Sequence, residues 1–300
     1  MPTPPTHLII VCCHAIYIGG EGKSSNEANW LIEPFQSGET ETYVKHVEAG
    51  VKALAEDYEN AILCFSGGPT KPEKTKRSEG EGYLKVALEN NLFGREPSPP
   101  TLRSRIFVDR YATDSYQNIL LSLIQFPLFT QELDHRLRSN TTAIANSTAS
   151  APRSGSSKSS VPTGTKSSSP VFPTKLTIIS HSFKRARFLE LHLSAIKYPL
   201  ERVTYIGIDP PFDTARMSEI EEGDRLRGYG AWKKDLYGAS ELLRSKREKR
   251  GWNEAAVGRE IVGRYMDGEA KEGIERLLAW GSCSERYPGR MPWELDRVVS

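Results

Sequence analysis

Five short apolar runs, separated by stretches of helical periodicity, limit what this chain can fold into more than any other feature. The runs are Leu8–Ile18, Ala61–Phe65, Arg105–Val108, Leu176–Ile179 and Val203–Ile208, and each ends in polar or glycine-rich residues. Runs rich in β-branched and other aliphatic residues, with few charges, have the pattern of strands buried on both faces. Between them, Tyr43, Val47, Val51 and Leu54 form one helical stripe. Tyr83, Val86 and Ala87 begin a second, and Tyr116, Ile119, Leu120 and Leu123 form a third. Strands alternating with helices imply right-handed crossovers and a parallel sheet covered on both faces. The expected fold class is α/β: a three-layer α/β/α sandwich around a mainly parallel sheet of about five strands, plus a helical C-terminal tail. Ligands of such folds sit beyond the carboxyl ends of the strands.

Composition narrows the functional classes. With 300 residues, 38% of them hydrophobic, the chain has enough material for one sizeable core. Forty basic against 38 acidic residues leave a formal charge of +2, which gives nucleic-acid binding no support. Cys12, Cys13 and Cys64 lie inside apolar runs, Cys283 lies in the tail, and no Cys-x-x-Cys or mixed His/Cys ligand spacing occurs. Neither a zinc site nor any other metal site is expected, and buried reduced thiols suit the cytoplasm. Leu8–Ile18 is shorter than the roughly 20 apolar residues that span a bilayer. The preceding Met1–Thr6 carries no Lys or Arg, unlike a signal peptide. Sequons at Asn140 and Asn146 fall in a Ser/Thr-rich segment where chance matches are common. These observations predict a soluble cytoplasmic protein without membrane contact.

Residues 1–210 are expected to form the α/β domain, interrupted at about 134–173. The centre of that interruption, Arg153–Ser160, has no aliphatic residue. It cannot offset an ordering cost of roughly 1–2 kcal/mol per residue, which predicts a disordered insertion between the third helix and the fourth strand. Residues 211–300 read as a charged helical extension packed on the domain. Trp232, Leu236, Leu242 and Leu243 supply its apolar face, Lys246–Arg250 a solvated face, and Tyr287–Trp293 an aromatic anchor.

Each strand delivers polar residues at its carboxyl end. They are His14, Gly19 and Gly20 after the first, Ser66-Gly67-Gly68 after the second, and Asp109, Asp114 and Asn118 after the third. Ser180-His181 follows the fourth and Asp209 the fifth. Gly22-Lys23-Ser24 has the end of a phosphate-binding P-loop, but Tyr17 stands where that loop needs its first glycine. A dinucleotide turn fails at Ser25, and no acidic residue ends the second run. Ser66-Gly67-Gly68 reads either as an anion-holding turn or as a glycine turn required by strand-to-helix geometry. Ser182 reads as a helix N-cap, so its backbone N–H groups, with Arg185 and Arg187, would meet an anion. His181 and His14 are the candidate acids or bases near neutral pH; each also reads as a packing histidine, which for His14, at the end of an apolar strand, is the ordinary reading. Asp114 and Asn118, one helical turn apart, either face the ligand together or cap the helix.

In order, Ser66-Gly67-Gly68, Ser78-Glu79-Gly80, Asp109 with Thr113–Asn118, and Ser180–Arg187 resemble the motifs of the YdcF/SanA/ElyC family, a domain of largely unknown function. The resemblance covers about residues 6–210 apart from the insertion. It departs in three places: Gly80 replaces an alanine, Gln117 replaces a glutamate, and Lys184 stands in the histidine position. Arg187 stays in register with the family arginine, and the insertion and tail resemble elaborated fungal relatives. The resemblance implies a Rossmann-like sandwich, adds Glu79 as a ligand-orienting residue, and implies S-adenosylmethionine as one ligand. It brings no established reaction. Three readings stand: an enzyme acting on an anionic or nucleotide-like molecule by hydrolysis or group transfer, a non-catalytic nucleotide or S-adenosylmethionine sensor, and an adaptor using tail and insertion.

Overall fold

The apolar runs become the strands of one parallel sheet. The computed structural model describes residues 4–95, 102–148 and 170–294, apart from the side chains of 140–148. In chain order the strands are β1 (His7–Cys12), β2 (Ile16–Tyr17), β3 (Trp30–Leu31), β4 (Ala61–Ser66), β5 (Ile106–Asp109), β6 (Lys175–Ser180) and β7 (Val203–Gly207). Five of them pair in parallel in the order β5-β4-β1-β6-β7. In the central strand, Ile9 faces Leu63 on one side and Thr177 on the other. The chain winds outward from β1 in both directions, so the order reverses between β1 and β6. This is the doubly wound, Rossmann-like arrangement, and the reversal opens a crevice at the carboxyl ends of those two strands.

The first run does not continue as one strand. At residue 14 the backbone N–H donates to the Tyr83 hydroxyl at 3.2 Å instead of a ladder carbonyl, and Ile16–Tyr17 then pairs antiparallel with Trp30–Leu31.

Alternate side chains of each strand point to opposite faces. Ile9, Val11, Leu63, Phe65 and Ile179 pack under α1 (Thr40–Glu56) and α2 (Glu79–Glu89). Leu8, Ile10, Ile62, Cys64, Leu176 and Ile178 pack under α3 (Ser115–Thr148) and the tail. The stripe Tyr43, Val47, Val51 and Leu54 of α1 is fully buried. Ser78 caps α2 by accepting from the Glu81 N–H, while Glu81 accepts from the Ser78 N–H. That reciprocal capping box satisfies two donors the helix itself leaves free.

The insertion begins later than its composition predicts. The third helix runs on to Thr148, so 134–148 is helical rather than irregular. Leu133 is buried, and Arg136 donates to the Ser104 carbonyl at 2.8 Å with its guanidinium 4.4 Å from the Phe107 ring centre. Adding a residue to a helix that tertiary contacts already hold is far cheaper than starting one, so low apolar content does not end it. At the other end Phe172 is buried against Trp293. The rest of the expected insertion, 149–169, lies outside the described residues.

After β7 the chain forms helices over 214–234, Glu241–Lys249, Glu254–Glu260 and Glu269–Leu278. Trp232, Leu243, Val257, Ile261, Ile274 and Leu277 join the same core cluster as α3. Leu242, expected on the apolar face, is exposed, because adjacent helical positions cannot share one face. The aromatic anchor is in place: Tyr287 and Trp293 are buried, and Trp293 Nε1 donates to the Ile196 carbonyl at 3.0 Å. Among the described residues no helix is long and apolar enough to cross a membrane.

Candidate functional site

A cleft of about 1220 Å³ opens at the carboxyl ends of β1, β4, β5 and β6 and is closed on its far side by the tail. Of the residues expected to form a site, His14, Glu79, Asp114, Asn118 and Arg187 line it. The others lie elsewhere for reasons that only packing decides.

Ser66-Gly67-Gly68 is a structural turn rather than an anion cradle. The Ser66 hydroxyl donates to Asp109 Oδ2 at 2.7 Å. The N–H groups of Gly67 and Gly68 are consumed by the carbonyls of Asp109 and Ala112. The Gly68 and Gly67 carbonyls in turn accept from the N–H groups of Glu79 and Gly80, closing the start of α2. A Cβ on Gly67 would lie 2.7 Å from Glu79 Oε2 and 2.9 Å from the Cys13 Cβ, so only glycine lets α2 approach this closely. The helix start after β6 is likewise occupied from within: Asp209 Oδ1 accepts from the Ser182 N–H at 2.7 Å and from the Phe183 N–H at 3.4 Å. The carboxylate after β7 stands where an anionic ligand was expected. Arg185 is exposed and does not line the cleft, and Gly19 and Gly20 lie beside Lys85 and Asn29, also outside it.

His181 is 1% exposed and does not line the cleft. It sits behind His14, ring centres 4.4 Å apart, with His46 at 5.0 Å and Phe183 at 4.9 Å. Burial, then the charge of Lys184, holds its pKa well below the usual histidine value. It is a packing histidine, and the imidazole presented to the cleft is that of His14. Ser180 is fully buried beneath His14 and binds it.

The His14 ring is held at both nitrogens. Its Nε2 lies 3.2 Å from Ser180 Oγ and its Nδ1 lies 3.4 Å from Lys184 Nζ. A lysine ammonium only donates, so Nδ1 accepts from it, and Nε2 carries the proton and donates to Ser180. Burial first, and then the neighbouring Lys184, push the His14 pKa well down and keep the ring neutral. Burial and the Arg187 guanidinium push Lys184 down to about 8. Burial raises the pKa of Glu79, whose Oε1 accepts from the Thr70 hydroxyl at 2.5 Å.

The cations opposite come mainly from the tail. Arg187 Nη2 pairs with Asp224 at 3.0 Å, and Arg247 Nε donates to Asp114 Oδ2 at 2.5 Å. Asp114 also caps α3, accepting from the Gln117 N–H at 2.8 Å, and lines the cleft. Arg250 donates to the Thr113 carbonyl at 2.9 Å, and Arg227 and Lys246 complete the wall. Lys246, Lys249 and Arg250 are exposed, as expected of a solvated face, and with Arg247 they also line the cleft. Arg187 Nε and Arg247 Nη2 are buried donors that no acceptor in the described residues satisfies.

Two π-helical turns, Arg187–His192 and Arg225–Tyr229, border the same wall. Such turns are rare and recur at functional sites. They meet at Gly228, where a Cβ would lie 2.9 Å from Arg187 Nη1 and would also press on Asp224. Phe35, 72% exposed, stands on the rim. Sequence reasoning left Arg227, Lys246, Arg247 and Arg250 off the site, and placed Lys184 beside it without a role. The available signal was that Arg250 lies one helical turn beyond both Lys246 and Arg247. No group of three or more His, Cys, Asp or Glu among the described residues is arranged to hold a metal ion.

A Saccharomyces cerevisiae protein described as "Uncharacterized protein YOR238W" is 26% identical over 337 residues, spanning 97% of this chain and 98% of its own length. No protein-family model matches the chain, and no solved structure matches it.

Proposed function

We propose that this chain is a cytoplasmic, YdcF-like protein that binds an anionic, nucleotide-like small molecule in the cleft and acts on it as a hydrolase or transferase. The observation that carries the reading is convergence. Lys184 and Arg187 after β6, Arg227, and Lys246, Arg247 and Arg250 on one tail helix all face the strand-order reversal. Two of these guanidinium groups keep buried donors that no acceptor among the described residues satisfies. A phosphate or similar oxyanion offers several strong acceptors and matches a guanidinium fork. Phe35 on the rim supplies an exposed ring on which a base can stack. His14, neutral and facing the cleft, is the group able to move a proton.

The second reading is a non-catalytic sensor of a nucleotide or S-adenosylmethionine. Glu39 and Glu79 on the sheet side of the cleft favour it, since carboxylates there suit an amine or ribose hydroxyls.

Calorimetric titration with phosphate, pyrophosphate, a nucleoside diphosphate and S-adenosylmethionine tests both. Lys246→Ala and Arg250→Ala should each weaken anion binding about tenfold, because a hydrogen bond to a charged group is worth roughly 1.5–3 kcal/mol. Arg185→Ala should change nothing. Binding that is absent, or indifferent to all three substitutions, removes the site from the cleft. Turnover that survives loss of His14 leaves the sensor reading or a different proton carrier.

A further inference from the structure

We propose that Lys184 is a carbonyl-reactive amine, which forms an imine with a phosphorylated aldehyde or ketone held in the cleft. This deepens the anion-site reading and rests on it.

The geometry is that of an amine placed for addition rather than for charge pairing. Lys184 sits on the cleft wall, one helical turn before Arg187, and has no carboxylate within ion-pair distance among the described residues. Its Nζ is 3.4 Å from His14 Nδ1 and 5.4 Å from the centre of the Phe183 ring. Lys71, by contrast, is tied to Glu33. The charged and titratable groups acting on Lys184 are Arg187, which favours the free amine, and Asp224, Glu39 and Cys12, which oppose it; His14 and His181 lie beside it as neutral rings. Burial and Arg187 prevail and lower its pKa to about 8, so free amine is present above neutral pH and reaches half near pH 8. Desolvation or an adjacent cation is how a lysine becomes a nucleophile near neutrality. The surrounding Arg187, Arg247 and Arg250 would hold the phosphate while the carbonyl carbon meets the amine.

The chemistry balances without any further reagent. The Lys184 lone pair forms a C–N bond to the carbonyl carbon, leaving an ammonium nitrogen and an alkoxide oxygen. His14 Nδ1, with Nε2 still bonded to Ser180, carries two protons in turn from that nitrogen to that oxygen: the first makes the hydroxyl of a carbinolamine, the second makes it a leaving water. The C–O bond breaks, water leaves, and the nitrogen lone pair closes the C=N bond: amine plus carbonyl gives imine plus water.

Pyridoxal 5'-phosphate is a suitable probe because it carries both an aldehyde and a phosphate. The intact chain is incubated with less than one equivalent, reduced with borohydride, and mapped by peptide mass spectrometry. Titration of the unlabelled chain with pyrophosphate is run alongside. Lys184 should carry at least ten times the label of any other lysine, Lys246 included. Pyridoxal, which lacks the phosphate, should label it at least tenfold less, pyrophosphate should protect it, and the labelling rate should rise with pH through an inflection near 8. Lys184→Arg should abolish the adduct; should that variant not fold, the map of the natural chain decides alone. Label spread over the lysines, or concentrated on Lys246, overturns the proposal. Labelling of Lys184 that ignores both the probe's phosphate and pyrophosphate overturns it as well. Pyrophosphate binding without an adduct at Lys184 overturns the imine alone, whereas loss of both overturns the anion site too.

Discussion

Arg247 Nε donates to Asp114 Oδ2 at 2.5 Å, joining a helix of the tail to the first turn of α3. Both side chains are only 12–13% exposed. The contact therefore fixes the tail against the sheet and places a guanidinium in the cleft.

Breaking this pair from one side leaves an uncompensated buried charge, which costs roughly 3–5 kcal/mol in a deep site and less where water reaches it. Arg247→Ala and Asp114→Ala should each destabilise the fold by about 2–3 kcal/mol, the second also through loss of the α3 cap. The double variant should lose less than the sum of the two, with a coupling of about 1–3 kcal/mol. Urea unfolding of all four proteins measures it; strict additivity would show that the two groups do not interact.

Gly228→Ala sets a methyl group against Arg187 and Asp224, where the two π-helical turns meet. Overpacking of this kind costs about 1–3 kcal/mol. Because it displaces Arg187, anion affinity should fall along with the melting temperature. Unchanged affinity in a destabilised variant would separate Arg187 from the ligand.

Acid should unfold this chain earlier than its carboxylates alone require. Burial pushes the pKa of His46 down to about 4 and those of His181 and His192 well below the ordinary value. A lowered folded-state pKa means that the unfolded chain, titrating near 6.5, binds more protons. The stability these rings contribute is complete above about pH 7 and is lost as pH falls from about 6.5 toward the folded values. Each contributes at most about 1.4 kcal/mol per pH unit, so these three, joined by His14, which burial holds equally low, should remove about 3–5 kcal/mol between pH 6.5 and 5.5. Glu79 and Asp109, whose folded values burial raises, act in the opposite sense and offset part of the loss at lower pH. Denaturant midpoints at pH 8, 6.5 and 5.5 test the sign, and a flat profile contradicts it.

Two deletions should behave differently. Removing residues from 134 onward takes away Arg136 with its bond to Ser104 and its contact with Phe107, and should lower the melting temperature by several degrees. Removing only 149–169, a sequence whose one large aliphatic residue is Val161, should leave it nearly unchanged. Equal losses from both would show that the shorter segment also packs.

The strands and their burial were legible in the sequence because they depend on local chemistry. Leu176–Ile179 and Ala61–Phe65 carry no charge and end in Ser, so their period and composition alone mark them as interior parallel strands. The same holds for Tyr43, Val47, Val51 and Leu54, whose spacing already describes one buried helical face. The helix boundary near 134 was not legible, since contacts from Ser104 and Phe107 extend a helix that its own residues only weakly favour. The site was legible in its direction but not in its membership. Carboxyl ends of strands point to a cleft, yet whether an N–H there is free depends on distant partners. Asp209 occupies the N–H groups of Ser182 and Phe183, and Ala112 occupies that of Gly68. His14 and His181 look alike in sequence, and only the stacking of one ring behind the other decides which faces the cleft. Local sequence therefore determined the sheet and its polar edge. The return of a tail more than 130 residues beyond Asp114 decided which cations face that edge, because contact across such a separation is settled only when the whole core closes.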